Sequence, residues 1–303
     1  MRVLVWVGGR VGAVVAGAAL VSAVLFFGVH MLPGDPVLRS SHQTPLQYQQ
    51  ALHRAGLDLP IWQQYLHVLQ RLLDGDLANQ LLPEALNSAK LGLLAAVVAV
   101  GLGVPIGYLA ASHHNRWVDR VSMLLAFVGF AMPTFLWGSL LVLLFVSGLY
   151  QLSQGFLAYD IGPCCSPTQI WLPALALGLP FVGYIARMTR ASMLDAIALD
   201  HVTAARARGL PERTVLSRHV LRYAAVPVLT VSGPLVGGLF VGSLVIEKIF
   251  GMPGLGHELA GSILGRDYDV AVAVFVYYAL LVGLANVVVD VLHRMLDPRI
   301  RSA

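Results

Sequence analysis

The sequence predicts an all-α, polytopic membrane protein with six transmembrane helices, and three observations support this fold class. Of the 303 residues, 57% are hydrophobic and only 12% are charged, about half the charged share of an ordinary soluble domain. Six stretches approach or exceed the roughly 20 apolar residues that a helix needs to cross a bilayer core while satisfying its own backbone hydrogen bonds. Arginines concentrate in alternate connecting segments, as expected for the cytoplasmic side of a membrane protein.

The six stretches follow one another along the chain. The first could be a cleaved signal peptide, because Arg2 and Arg10 flank the start of its apolar run. It is long enough to span, however, and no clear A-x-A site follows, which favours a retained helix. The fourth contains Pro173 and Pro180, so we expect a kinked helix that extends past Arg187, with that side chain facing protein or water. The predicted spans are Val11–Val29, Leu91–Ala111, Val121–Tyr150, Ile170–Ile185, Tyr223–Ile246 and Val270–Val289.

The charge distribution predicts that both termini are cytoplasmic. With the N-terminus inside, fourteen of the twenty Lys and Arg residues fall in inner segments. The domain organisation expected is an N-terminal transmembrane helix over 1–32, an extracytoplasmic segment over 33–90, and a five-helix core over 91–303 with a cytoplasmic loop at 190–222. Helical spacing within 44–73 predicts one or two short amphipathic helices at the outer surface.

Several functions are disfavoured by the sequence. The net charge of +4 is explained by inner loops rather than by nucleic-acid binding, since no basic patch is interleaved with aromatics; lipid is the expected surrounding. A phosphate-binding P-loop needs a Gly-Lys-Ser/Thr sequence, and neither Lys90 nor Lys248 follows a glycine. Any ATP site should therefore lie on another polypeptide.

Catalysis and ion coupling are also disfavoured. Ser243 in the fifth stretch would need a histidine partner at membrane depth to act as a nucleophile, and a small packing residue is the simpler interpretation. No catalytic, cofactor-binding or metal-ligating residue is predicted. Ion-coupled carriers keep ionisable groups near the membrane midplane, whereas the second, third and fifth stretches carry none over their central turns. An ion-coupled secondary transporter remains the alternative from another functional class.

The cytoplasmic segment between the fourth and fifth stretches is the most informative part of the sequence. Three alanines between 204 and 207 favour a helix, which Gly209 and Pro211 should end. A short helix with small side chains can approach another protein closely, and its arginines can contact acidic groups around the contact. The residues expected to form this surface are Thr203, Ala204, Ala205, Arg206, Arg208 and Gly209.

Thr203-Ala-Ala-x-x-x-Gly209 resembles the EAA loop of ABC importer permeases, the coupling helix that sits in a groove of the ATPase subunit. Thr203 stands where the motif has an acidic residue, and Pro227 follows at a longer interval than in sugar-type permeases. Both departures are typical of the oligopeptide, dipeptide and nickel branch. Other segments resemble that branch in order along the chain: Leu32–Pro36, Gly56–Pro60, Gln64–Leu66, Gly75–Asp76, Trp117–Asp119, Ser243–Glu247, Phe250–Gly256, Arg266–Tyr268 and Leu296–Arg301. Gly251-Met-Pro-Gly254 and Ser232-Gly-Pro234 look most like the oligopeptide B-type subunit.

The resemblance implies the type I ABC importer permease fold in the bacterial inner membrane. It implies a second homologous permease, two ATP-binding subunits that hold ATP and Mg, and an extracytoplasmic substrate-binding protein, with alternating access as the transport mechanism. The chain itself would hold no cofactor. Oligopeptides or dipeptides are the expected substrates, and nickel or another small solute is the alternative within the family.

Three sets of residues are candidates for the translocation path and its outer gate. Pro133 could kink the third span, with Met132 and Phe135 beside it. Small residues four apart in the fifth span permit close helix crossing or line the path, and both interpretations stay open; they are Gly233, Gly237, Gly238 and Gly242. A Gly- and Pro-rich outer segment is expected to gate the path and contact the binding protein, through Phe250, Gly251, Pro253, Gly254 and Gly256.

Overall fold

The fold is described from a computed structural model that covers residues 2–31, 58–148 and 170–296. Within these ranges every regular element is helical, which confirms the predicted all-α class. Two π-helical segments, Val142–Gly148 and Val215–Val220, continue the helices that precede or follow them. The α-helices are α1 (Arg2–His30), α2 (Ile61–Leu73), α3 (Asp76–Ser112), α4 (Trp117–Ala131), α5 (Thr134–Leu141), α6 (Trp171–Ile197), α7 (Asp200–Ala207), α8 (Glu212–Thr214), α9 (Leu221–Phe250), α10 (Leu255–Gly265) and α11 (Tyr268–Leu296).

Four described helices are each long and apolar enough to cross a membrane: α1, α3, α6 and α11. Two further candidates are pairs of consecutive helices separated by a short break. One is α4 with α5, which are bent by 101°, and the other is the end of α9 with α10. The described residues therefore hold four candidate spans, or six when each bent pair is counted as one, in agreement with a polytopic permease-type fold.

The third predicted stretch is helical, but it is not the single kinked helix that Val121–Tyr150 would form. Met132 takes an extended backbone conformation, with φ −88° and ψ 130°. Pro133 explains this difference, because its ring lacks an N–H and disfavours helical geometry at the residue before it. The helix therefore ends at Ala131 and restarts at Thr134. Residues 149 and 150 lie outside the described residues.

The fourth stretch extends further than its apolar run, as predicted. Helix α6 continues through Pro180 and past Arg187 to Ile197. Its N-terminal Pro173 falls in the first turn, where a proline removes no intrahelical hydrogen bond. The second stretch is also longer than expected, since α3 begins at Asp76, fifteen residues before Leu91.

The second part of the segment 44–73, which is predicted to hold amphipathic helices, forms helix α2, whereas 32–57 lie outside the described residues. Val68 of α2 packs in an apolar cluster with Phe26 of α1 and Val272 of α11. Tyr65 and Leu72 pack against this cluster. The Ser22 and Tyr65 hydroxyls lie 2.9 Å apart, and Arg71 Nη1 donates to Asp269 Oδ2 over 2.9 Å. Apolar packing and two polar contacts thus fix α2 within its own unit.

The chain divides into two compact units. The first unit comprises 1–88 and 253–284, and the second comprises 89–252 and 285–303. The second unit contains the predicted coupling segment and the broken α4–α5 pair. An apolar cluster in this unit joins α3, α6 and α9 through buried residues that include Leu91, Ala95, Ala174, Leu177, Leu239, Ile246 and Phe250.

Close helix crossings in the second unit depend on glycines of α3, α4 and α6. A Cβ built at Gly183 would collide with the Ala126 carbonyl of α4, and one at Gly107 would collide with Ala186 and Thr189 of α6. Because backbone atoms cannot move aside as a flexible side chain can, these glycines set how near α6 lies to its neighbours.

Candidate functional site

The predicted coupling segment forms a short helix, α7, with defined ends. The Leu199 carbonyl accepts hydrogen bonds from the Val202 and Thr203 amides at 3.0 and 3.2 Å, and Asp200 lies in the first turn, where a negative charge is favourable. The predicted stop is confirmed: the helix ends at Ala207, and Gly209 takes the left-handed conformation with φ +76°. Glycine adopts this conformation at no steric cost.

One face of α7 is packed within the second unit. Val202 is fully buried and Ala205 is 3% exposed. They pack with Met193 and Ala196 from the end of α6, with Ala111 from the end of α3, and with the π-helical segment 215–220. Helix α7 is therefore part of one apolar cluster with the ends of α3 and α6, the π-helical segment 215–220 and the start of α9.

The opposite face of α7 is exposed. Of the six residues predicted to form the coupling surface, Ala205 is the one that the structure buries, and the exposed ones are Thr203, Ala204, Arg206, Arg208 and Gly209. Thr203 and Ala204 thus present a small side-chain surface. Ala205 is buried on the opposite side of the helix and does not form part of that surface.

Arg206 is engaged within its own chain. Its Nε and Nη2 donate to the two carboxylate oxygens of Glu212, at 3.1 and 2.7 Å. This bidentate contact closes the turn that Gly209 and Pro211 make, and Arg206 holds the pKa of Glu212 below its ordinary value through the hydrogen bonds. Arg206 therefore stabilises residues 206–212, which we call the tip of the coupling segment. Arg208 remains the predicted cation on the exposed face.

A second polar contact, between α4 and α6, was not foreseen from the sequence. Asp119, in the first turn of α4, accepts hydrogen bonds from Arg190 Nε at 2.6 Å and Arg190 Nη2 at 2.8 Å. It also accepts one from the Asn115 amide at 2.9 Å, and His114 Nδ1 lies 3.3 Å from Arg190 Nη2. We call these residues the α4–α6 junction, because they join the start of α4 to α6 two turns before α6 ends.

The predicted path residues beside Pro133 lie at the break between α4 and α5. Pro133 and Phe135 are exposed, and Met132 is half-buried. The break leaves carbonyls of the last turn of α4 without helical partners, and Trp137 Nε1 donates to one of them, Gly129 O, at 3.1 Å. Non-helical backbone at membrane depth is tolerated where protein or water surrounds it, which is consistent with a position beside a passage.

The four predicted path glycines lie in α9. Gly237 is buried, and Gly238 is exposed with the ring of Phe181 as its near neighbour, 3.8 Å from a built Cβ. The surroundings of Gly233 and Gly242 are not among the described features. Their role in the path stays a prediction, while the tight crossings described above belong to other helices.

The predicted outer-gate residues are divided between the two units, because the second unit ends at 252 and the first resumes at 253. In the second unit Phe250 is buried and Gly251, with φ +61°, ends α9: the Met252 amide donates to Glu247 O and the Gly251 amide to Lys248 O, at 2.8 and 3.4 Å. This is a Schellman motif.

In the first unit, two hydrogen bonds join residues 253 and 255 to α3. The Pro253 carbonyl accepts from Asn87 Nδ2 at 2.8 Å, and the Leu255 amide donates to Ser88 Oγ at 2.9 Å. Pro253 is exposed, whereas Gly254 and Gly256 are buried. The gate role of all five residues stays a prediction.

Comparisons with known proteins identify one family of transport proteins, and a solved structure shares the fold. The family described as "binding-protein-dependent transport system inner membrane component" matches residues 103–302. The chain is 34% identical over 331 residues to the dipeptide transport system permease protein DppB of Escherichia coli (strain K12), covering 96% of this chain and 97% of that protein. It is 36% identical over 294 residues to the glutathione transport system permease protein GsiC of the same strain, covering 93% and 94%. A crystal structure of an amino acid ABC transporter with histidines matches with a TM-score of 0.54 at 17% identity, over 75% of this chain and 97% of that one.

Proposed function

Because the chain belongs to the family of binding-protein-dependent transport system inner membrane components, we propose that it forms half of the path of an ATP-driven importer for short peptides. Family membership confirms the predicted inner-membrane localisation and the transport class. The peptide substrate is supported by the two relatives above, one a dipeptide and the other a glutathione permease protein. In the proposed assembly a second permease completes the path, two ATPase subunits hold ATP and Mg, and an extracytoplasmic protein delivers the substrate.

The exposed face of α7 is the observation that carries this proposal. Thr203 and Ala204 are exposed on a helix whose other face is buried by Val202 and Ala205. An exposed surface of small side chains, backed by a packed core, suits insertion into a groove of another protein. Closure of the ATPases would push α7, and the packed contacts would carry the movement to α3, α6 and α9.

The test is to enlarge the exposed side chain without disturbing the buried face. Ala204→Trp should leave folding intact, because Ala204 is exposed, but it should block the groove and bring ATP-dependent peptide uptake close to background. Uptake is measured in proteoliposomes that contain both permeases and both ATPases, with the binding protein added. Ala204→Ser, which keeps the side chain small, is the matched control and should retain uptake.

Two results would contradict the proposal. Normal uptake by Ala204→Trp would show that α7 is not the coupling surface. Peptide uptake that follows an ion gradient and needs no ATPase subunit would instead favour the secondary-transporter alternative.

A further inference from the structure

Arg187 is a charged residue within a candidate membrane span. Helix α6 is long and apolar enough to cross a membrane over Trp171–Ile197, and Arg187 lies sixteen residues after Trp171, which is about 24 Å along a helix axis. The hydrocarbon core of a bilayer is about 30 Å thick. Measured from Trp171, Arg187 therefore falls near the inner edge of the core, two residues after the predicted end of the span at Ile185. A cation there is costly unless it faces protein or water, and it marks a functional position by default.

The Arg187 side chain does not join the nearby carboxylate. Arg190, three residues further along α6, pairs with Asp119, whereas the Arg187 guanidinium carbon lies 4.3 Å from the ring centroid of Phe130. Asp119 and Phe130 are eleven residues apart on α4, or about 16 Å along its axis, while the two arginines are separated by about 4.5 Å on α6. The two guanidinium groups therefore diverge, and that of Arg187 extends towards the end of α4.

This direction is the opposite of the one that would bring the charge out of the membrane. Long basic side chains in a span normally extend towards the nearer aqueous face. With the predicted orientation, that face is the cytoplasmic one, where Arg190 and Asp119 lie. Arg187 instead extends towards the break at Met132, which interrupts the third predicted span.

The guanidinium of Arg187 is held in place by an aromatic face. Its Nε is buried without a hydrogen-bond partner among the described residues, and within that part of the chain Arg187 makes no ion pair. Phe130 supports one face of the group by a cation–π contact, and Tyr184 lies 6.0 Å from the Phe130 ring. Arg187 is half-buried and Phe130 is 46% exposed, so this group is open on one side.

A guanidinium oriented in this way has the geometry to receive a carboxylate. Its two terminal nitrogens form a planar edge that matches the two oxygens of a carboxylate, and stacking on a ring leaves that edge available although Nε is buried. A free terminal carboxylate is common to unmodified peptides of any side-chain composition. One cation can therefore recognise peptides in general without selecting among their side chains.

We propose that Arg187, held against Phe130, binds the terminal carboxylate of a peptide during its passage along the path. This inference rests on the proposed function, since it names a contact for the same substrate class. The same carboxylate chemistry could come from an acidic side chain of the second permease, so the experiment must separate the two sources.

The experiment compares one tripeptide with a free C-terminal carboxylate and the same tripeptide as its C-terminal amide. Both are transported by the complete complex in proteoliposomes with the binding protein, and kcat/KM is measured for each in wild type and in Arg187→Gln. We expect the substitution to lower kcat/KM about tenfold for the acid, since a charge-assisted hydrogen bond is lost, and by no more than about twofold for the amide. The binding protein is the same in every assay, so its own preference for the acid or the amide does not affect the comparison of one substrate between variants.

Matched variants sharpen this comparison. Arg120→Gln removes an exposed arginine from the first turn of α4 and should leave the acid-to-amide ratio unchanged. Arg187→Lys keeps the charge but loses the planar edge, and should retain part of the preference for the acid. Phe130→Leu removes the supporting ring and should lower the ratio in the same direction as Arg187→Gln, by a smaller factor. A lower amount of assembled complex affects the acid and the amide equally. It therefore does not change the acid-to-amide ratio of kcat/KM within a variant.

An equal loss for the acid and the amide in Arg187→Gln would overturn the inference and indicate that Arg187 pairs with the second permease or serves folding. An unchanged ratio with normal uptake would overturn it as well. In both cases wild-type peptide uptake would leave the proposed function intact. Absence of peptide uptake by the wild-type complex would contradict the proposed function, and this inference with it.

Discussion

Two arginine–carboxylate pairs in the second unit have similar contacts and different surroundings. The Asp119–Arg190 pair is bidentate, with side chains 4% and 25% exposed; the Arg206–Glu212 pair is also bidentate, with side chains 39% and 56% exposed. A buried pair whose partners are satisfied is costly to break, whereas an exposed pair contributes little because water and salt screen it. The α4–α6 junction is therefore expected to be rigid, and the tip of the coupling segment adjustable.

This difference assigns a mechanical role to each region. Helix α7 is held mainly by apolar packing of Val202 and Ala205, so its exposed face can adapt to a partner. The α4–α6 junction keeps α4 and α6 together when α7 moves. We expect a push on α7 to move α4 and α6 as one body, which is what transmission from the cytoplasmic side to the membrane requires.

The largest expected effect comes from breaking the buried pair. Asp119→Ala leaves the Arg190 guanidinium and the Asn115 amide without their acceptor, and should lower the free energy of unfolding by about 3 kcal/mol. The measurement is denaturant-induced unfolding of the purified chain in detergent micelles. Asp119→Asn keeps an acceptor oxygen and should lose about half as much.

A double variant tests whether the loss comes from the unpaired charge. Asp119→Ala combined with Arg190→Met removes both partners, and should be more stable than Asp119→Ala alone because no half-buried cation is left without its carboxylate. If the double variant were as unstable as the sum of the single variants, the two side chains would not be coupled. The comparison between a rigid and an adjustable pair would then fail.

Helix ends that depend on a nearby glycine or proline could be predicted from the sequence. The end of α7 depends on Gly209 and Pro211, whose effects on the backbone are local, and the structure places the stop where they stand. The break before Thr134 follows from Pro133 in the same way. Its 101° bend could not be predicted, because it also depends on contacts such as the hydrogen bond from Trp137 to the Gly129 carbonyl.

Contacts between distant residues were beyond prediction from a single sequence. Asp119 and Arg190 are 71 residues apart, and no periodicity links them, so each appeared as an ordinary charge near a helix end. Ala205 was predicted to be on the contact surface because the motif was considered as a unit. The helical period instead turns it inward beside Val202.

An intermediate effect is expected at Gly209, which tests whether the tip depends on backbone geometry more than on its ion pair. A Cβ at Gly209 would meet nothing within 4 Å, but the φ of +76° is strained for other residues. Gly209→Ala should lower the free energy of unfolding by about 1 kcal/mol, and Gly209→Asn by less, because asparagine tolerates the left-handed conformation. The same unfolding measurement applies, and peptide transported per ATP hydrolysed should fall in the same order. A lower peptide-to-ATP ratio for asparagine than for alanine would instead indicate a steric effect at the partner surface.

The smallest effect is expected from the exposed pair itself. Glu212→Gln should lower the free energy of unfolding by about 0.5 kcal/mol, and added salt should reduce that difference. Because Arg206 lowers the pKa of Glu212 in the folded chain, the contribution is present above the ordinary pKa of 4.5 and is lost as the pH falls through the lower, folded value. Unfolding of wild type and Glu212→Gln should therefore differ at pH 7 and converge under acid conditions. A difference as large as that of Asp119→Asn, or one that salt does not reduce, would mean that Glu212 is shielded from water and salt in the micelle. The tip would then be as rigid as the α4–α6 junction, and α7 would act as a fixed lever instead of an adaptable contact.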